Sequence, residues 1–224
     1  MDLRMYVVTS GTGRETVDRA ARAAAAGAGM VQVRAKQATT RELLELTVAV
    51  ARAVAQAAPQ CRVVVDDRAD VAWAARHDGE PVHGVHLGLD DLPPRAARDL
   101  LGPDAIIGWT TGSLGLVREA QDLVGVVDYL GAGPFRPTPT KQITRPALGI
   151  DGYRPLVAAS VLPIVAIGDV TPDDVAELAA TGIAGVAMVR HVMQAEDPAV
   201  VVRRVLDPFG SPWQGVAPAR SIHG

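Results

Sequence analysis

Apolar positions along this chain alternate between two rhythms. The runs LRMYVVT, MVQVR, RVVVDD, GVHLG, IIGWT, VVDYLGA, PIVAIG and GVAMV are short and mostly rich in β-branched residues, the composition of buried strands. Each is followed by a segment richer in Ala and Leu that reads as a helix: ETVDRAARAAAAG, RELLELTVAVARAVAQ, DVAWAARH, PPRAARDLLG, SLGLVREAQDL, DGYRPLVAAS, TPDDVAELAATG and DPAVVVRRVL. Apolar strands of this kind imply a parallel sheet covered on both faces, and eight strand-then-helix units close most naturally into a (β/α)8 TIM barrel of the α/β class. A doubly wound open sheet produces the same alternation, but the number of units favours the barrel. Residues 1–206 are expected to form one barrel domain. The stretch 207–224 is rich in Pro and Gly without periodicity, so an irregular or disordered extension is expected there, with Trp213 pinning part of it to the barrel.

Composition narrows the function classes. With 224 residues and 48% apolar content the chain can bury a substantial core. A net charge of −3 comes without a basic block, which argues against nucleic acid or an acidic membrane surface as partner and leaves a small anion open. The one cysteine, Cys61, lies in the apolar run CRVVV, cannot form an internal disulfide and reads as an inert core thiol. No apolar run reaches membrane-spanning length and no signal-like segment precedes the first strand, so a cytoplasmic location is expected. The sequence is compatible with a homo-oligomer and does not define one.

In a barrel the working face lies where strands end, so polar residues directly after apolar runs carry the chemistry. Gln32, Arg34 and Lys36 follow strand two at a spacing of two and would point the same way from an extended segment. They read either as a solvated strand end or as an anion site. Strand three ends in Asp66 and Asp67, and the loop after strand four holds Asp90 and Asp91; such pairs serve as caps and turns, or as oxygen ligands for Mg²⁺. Cations beside a carboxylate-held Mg²⁺ suit a diphosphate, because together they stabilise charge on a departing group.

The segment GPFRPTPTKQ after strand six fits the same picture. Its prolines fix φ and lower the entropy lost on ordering, which would set Thr138, Thr140 and Lys141 at the barrel mouth; the other reading is a surface turn with a solvated lysine. The last two strand ends, AIGD and GVAMVR, offer Gly168, Val189 and Arg190 for phosphate binding through backbone N–H groups, with Arg190 able to grip phosphate or to pair with Asp169. Other motifs fail. Neither SGTGRET nor GAGPFRP completes a dinucleotide fingerprint, and no Walker A pattern occurs. His83 and His86 are three apart on a strand, so they face opposite ways and make a poor metal pair, with His86 facing the core or the mouth.

The ordered set VQVRAK, VVDDRADVA, GVHLGLDDLP, IIGWTTGS, DYLGAGPFRPTPTK and PIVAIGDVTPDDV resembles the thiamine phosphate synthase family, from about Met5 to Pro198, with PTPTK the most distinctive element. The resemblance implies a (β/α)8 transferase of thiamine biosynthesis. It would join hydroxymethylpyrimidine diphosphate to a thiazole phosphate and release diphosphate, with Mg²⁺ required. It further implies that Gln32, Arg34 and Lys36 hold the pyrimidine diphosphate, that Asp67 and Asp91 hold Mg²⁺, and that Lys141 meets the leaving diphosphate. Thr138 and Thr140, with backbone from Gly168, Val189 and Arg190, would position the thiazole phosphate. The family mechanism is dissociative: the diphosphate leaves, the aminopyrimidine bears a methylene cation, and the thiazole nitrogen attacks it.

Departures from the family pattern concern the same site. Asp66 stands where the family usually has Asn, Leu89 where it has Gln, Thr110 where it has Ser, Gly112 where it has His, Asp169 where it has Gly, and Arg190 where it often has Ser. Asp66 and Thr110 thus join the substrate-binding set with altered side chains. An ionised Asp66 cannot donate the hydrogen bond an amide would give. Asp169 would repel a phosphate, and Arg190 is expected to compensate. Two other functions fit parts of the pattern: a thiazole tautomerase-like isomerase, which would use a histidine near Gly112, and a non-catalytic thiamine-phosphate binder.

Overall fold

The computed structural model describes residues 1–137 and 146–210. Eight strands form a closed, all-parallel barrel in chain order: β1 Met5–Val8, β2 Met30–Val33, β3 Arg62–Asp66, β4 Gly84–Leu87, β5 Ile106–Thr111, β6 Tyr129–Ala132, β7 Ile164–Ala166 and β8 Gly185–Met188. β8 returns to pair with β1, through Met5 opposite Val186, and so leaves no open edge. This is the TIM barrel that the alternation predicts, not the open sheet.

Around it lie α1 Arg14–Ala25, α2 Thr40–Ala57, α3 Ala69–His77, α4 Pro94–Leu101, α5 Leu114–Glu119, α6 Tyr153–Ala158, α7 Val175–Ala179, α8 Arg190–Met193 and α9 Pro198–Leu206. The short α8 has no counterpart among the eight expected helices. It inserts a turn between β8 and the closing helix α9. Past α9, Asp207–Phe209 is a 3₁₀ turn whose Phe209 packs on the core, in a stretch read from sequence as the start of an irregular tail. Trp213 lies outside the described residues.

Period-two alternation divides the apolar residues into two cores. Met5, Val7, Val31, Val33, Val63 and Val65 point outward and pack under the helices. Tyr6, Val8, Met30, Val64, Tyr129 and Val165 point inward and fill the barrel. α2 shows how the helices attach: Leu43, Leu46, Thr47, Val50, Ala51 and Val54 are buried along one face. Its start is set by a capping box, in which Thr39 Oγ1 accepts from the Glu42 N–H and the Glu42 carboxylate accepts from the Thr39 N–H. Cys61 is buried, and burial pushes its thiol up to about 12, as an inert core thiol requires.

Along the inward positions the chemistry changes from apolar to polar toward the strand ends. Met30 is followed by Gln32 and then Arg34, Val64 by Asp66, and Gly84 by His86. The same alternation that fills the lower barrel therefore lifts a polar set to the mouth. Among the described residues no helix is long and apolar enough to cross a membrane.

Candidate active site

A cavity of about 320 Å³ opens at the C-terminal ends of the strands. Gln32, Arg34 and Lys36 all line it, although β2 itself ends at Val33; the extended path continues far enough to keep their common direction. Asp66, Asp67, Asp91 and Thr110 line it from the middle strands, and Gly168, Val189 and Arg190 from the last two. Every predicted site residue within the described part thus meets at one hollow. Thr138, Thr140 and Lys141 lie outside the described residues.

The charges on the β2–β4 side are paired to one another. Arg34 Nη1 donates to Asp66 Oδ2 at 2.5 Å, and Lys36 Nζ to Asp67 Oδ2 at 2.6 Å. Asp66 is only 8% exposed, and burial pushes its carboxyl above the usual range despite the Arg34 charge beside it. Asp67 is pulled the other way. Burial would raise it, but hydrogen bonds from Lys36 and from Asp91 hold it below the usual range. Asp91 is raised by burial and by the adjacent Asp67, while its Oδ2 accepts from the Gly88 N–H at 2.6 Å. Two carboxyl groups held in contact, one lowered and one raised, share a proton that a divalent cation would displace, leaving two oxygen ligands.

The backbone carries the same signature. Among the described residues the non-glycine positions with positive φ are Asp67 at 64°, directly after β3, and Asp169 at 57°, in the loop just past β7. Asp tolerates this region better than most residues, yet the conformation still costs about 1 kcal/mol and clusters at functional sites.

Across the cavity, Arg190 Nη2 pairs with Asp169 Oδ1, as the compensation argument expects. Gly168, at φ 105°, sits where an added Cβ would lie 2.6 Å from Pro134 Cα, so only glycine lets β6 and β7 close against each other here. Arg136 grips Asp174 with both of its terminal nitrogens, tying the segment after β6 to the turn after β7.

Sequence reasoning missed part of this set. His86 faces the mouth, one of its two expected directions, and is bonded there to Thr110, already in the expected substrate-binding set, and to Tyr129, which no motif singled out. Leu89 and Asp90, both named from the sequence, line the cavity as well, and His191, which was not named, joins them from α8.

Known proteins agree with this architecture. The family model described as thiamine monophosphate synthase matches residues 5–192. The chain is 56% identical over 209 residues to the thiamine-phosphate synthase of Corynebacterium jeikeium (strain K411), covering 93% of this chain and 95% of that protein. It is 57% identical over 210 residues to that of Corynebacterium efficiens, covering 93% and 96%. Among solved structures, the thiamine phosphate pyrophosphorylase from Pyrococcus furiosus superposes with a TM-score of 0.79 at 32% identity, covering 92% of this chain and 95% of that one. An eight-stranded barrel with cations and paired carboxylates at its mouth, and this extent of similarity, lead to one conclusion: the chain belongs to the thiamine monophosphate synthase family.

Proposed function

We propose that this protein is a thiamine-phosphate synthase that condenses hydroxymethylpyrimidine diphosphate with thiazole phosphate, giving thiamine phosphate and diphosphate. The observation that carries this reading is the convergence of Arg34, Lys36, Asp67 and Asp91 on a single cavity, opposite Gly168 and Arg190. The identities to named synthases of nearly equal length support it.

In this reading the bond between the pyrimidine methylene carbon and the diphosphate oxygen breaks, and the electron pair leaves on oxygen. Arg34 and Lys36, already at the cavity, take up the negative charge that develops with little reorganisation, and Lys141 is assigned the same role from the family motif. The electron-rich aminopyrimidine supports the resulting cation. The thiazole nitrogen then attacks it to form the new C–N bond, and the positive charge ends on the thiazolium ring. No side-chain nucleophile is needed, which suits a site built from cations, amides and hydroxyls.

Gln32, Asp66 and Thr110 line the pyrimidine side, while Thr138, Thr140, Gly168, Val189 and Arg190 serve the thiazole phosphate. Asp67 and Asp91 fit Mg²⁺, which takes one or two carboxylates and completes its shell with water and substrate oxygens; among the described residues no cluster of three or more His, Cys, Asp or Glu offers a protein-only cage. When bound there, Mg²⁺ supplies positive charge to the diphosphate. Incubating the purified protein with both substrates and Mg²⁺ should release thiamine phosphate and diphosphate in equal amounts. Binding of both substrates without product would overturn the reading.

A further inference from the structure

A polar chain crosses the inside of the barrel beneath the pocket. Gln32 Nε2 lies 2.9 Å from the Tyr6 hydroxyl, which lies 2.7 Å from the Tyr129 hydroxyl. The Tyr129 hydroxyl is 3.0 Å from His86 Nδ1, and His86 Nε2 is 3.1 Å from Thr110 Oγ1. Tyr6 and Tyr129 are buried and do not line the cavity, whereas Gln32, His86 and Thr110 do. Two strands make room for the chain by lacking side chains. A Cβ on Gly108 would sit 2.1 Å from the Tyr129 ring and 2.5 Å from His86 Nδ1, and one on Gly131 would sit 3.0 Å from His86 Cε1.

The hydrogens along this chain can be counted. Burial raises both phenols far above neutrality, in Tyr6 against the opposing pull of its hydrogen bonds with Tyr129 and Gln32, so each phenol supplies one hydrogen. A neutral imidazole donates from one nitrogen and accepts at the other, a hydroxyl has one hydrogen, and an amide offers either its NH₂ or its carbonyl. Four links each need one hydrogen, and only two arrangements fill all of them while also placing every phenol and imidazole hydrogen in a link.

In the first, Gln32 donates to Tyr6, Tyr6 to Tyr129, Tyr129 to His86 Nδ1, and His86 Nε2 to Thr110. The Gln32 carbonyl and the Thr110 hydrogen are then turned to the cavity. In the second every link is reversed, and the cavity meets the Gln32 NH₂ and a Thr110 oxygen that accepts. If both ends donated, five hydrogens would meet four links and one would have no acceptor in the chain; if both ends accepted, three hydrogens would leave one link empty, and either defect is costly where the two tyrosines are buried.

We propose that Tyr6, Tyr129 and His86 are positioning residues forming a hydrogen-bond wire that couples the group Gln32 presents to the pocket to the group Thr110 presents, so that one is a donor only when the other is an acceptor. An aminopyrimidine carries a donor amine next to acceptor ring nitrogens, the mixed pattern such a pocket selects. The assignment of this substrate rests on the function proposed above; the wire does not.

The test reads the wire without substrate. In the full-length protein with ¹⁵N-labelled histidine, Gln32→Glu at pH 8 places an acceptor-only group at one end, so the His86 tautomer should become Nδ1–H. In the double variant with Tyr129→Phe the wire is cut, and His86 should match Tyr129→Phe alone. A tautomer unmoved by Gln32→Glu, or moved equally with the wire cut, overturns the proposal. If Gln32→Glu does not fold, Thr110→Val drives the chain from the other end. The side-chain amide resonances of Gln32 should then shift, and should not shift when Tyr129→Phe is also present; a shift in both backgrounds, or in neither, overturns the proposal. In turnover, Tyr129→Phe should raise KM for the pyrimidine diphosphate about five-fold, the worth of one neutral hydrogen bond, and leave KM for thiazole phosphate unchanged. Equal changes in both constants, or none, count against the wire. An inactive wild-type protein would sink the proposed function and leave the tautomer result to decide the wire.

Discussion

The two walls of the pocket hold their charges in different ways. On the β2–β3 wall, Arg34 is 27% exposed and its partner Asp66 8%; on the β7–β8 wall, Arg190 is 47% exposed and Asp169 27%. The first pair is largely withdrawn from water, where charge interactions are strong and burial is costly; the second is solvated and screened. Desolvated cations suit the place where charge must be stabilised during reaction. A solvated pair suits adjustment of affinity for a phosphate that does not react.

Removing a cation from the first wall should have the largest effect. Arg34→Ala should lower kcat by about 100- to 1,000-fold, the range for losing one preorganised stabilising group, with a smaller change in KM for thiazole phosphate. Steady-state kinetics with each substrate varied in turn will show the split. On the second wall, Arg190→Ala should leave kcat nearly intact. It should raise KM for thiazole phosphate about ten-fold, because Asp169 then faces the phosphate unneutralised, and the gap from wild type should narrow as salt is added. An unchanged KM removes Arg190 from the site.

A smaller effect should come from Asp66→Asn, which still accepts from Arg34 but no longer competes for its charge. Turnover should be preserved or should rise by a few-fold, since a neutral amide holds Arg34 less tightly than a buried carboxylate does. A fall in kcat comparable to that of Arg34→Ala would mean that the carboxylate itself is required.

Away from the reacting groups, Asp174→Asn tests the Arg136 tie between the ends of β6 and β7. Burial raises the Asp174 carboxyl, but its hydrogen bonds with Arg136 and Thr171 outweigh this and leave it below the usual range. A depressed carboxyl adds stability above its unfolded pKa and loses it as pH falls through the folded value. The substitution should therefore cost about 1–2 kcal/mol at pH 7, with the cost shrinking below pH ~4, as denaturant midpoints will report.

Some of this architecture could be read directly from residue order. Strand identity followed from local apolar runs, and Gln32, Arg34 and Lys36 were readable as one line because a period of two holds in any extended segment. The helix α8 escaped, since four residues between a strand and a helix carry too little periodicity to register. Tyr6 and Tyr129 looked like ordinary core residues, as most tyrosines in apolar strands are. Their hydroxyls meet across 123 positions of sequence, and nothing local to either residue announces the other.

The sequence by itself determined the number and kind of elements, which side of each strand faces inward, and the residue types available at the barrel mouth. Each of these depends on spacing within a few residues. Only the tertiary structure decided that Arg34 would spend its charge on Asp66, that Asp67 would meet Asp91, and that Gln32 would be joined to Thr110 through two buried tyrosines and a half-buried histidine. Those outcomes depend on barrel closure, which brings side chains from separate strands within hydrogen-bonding distance, and on burial, which changes the strength of their interactions once water has gone.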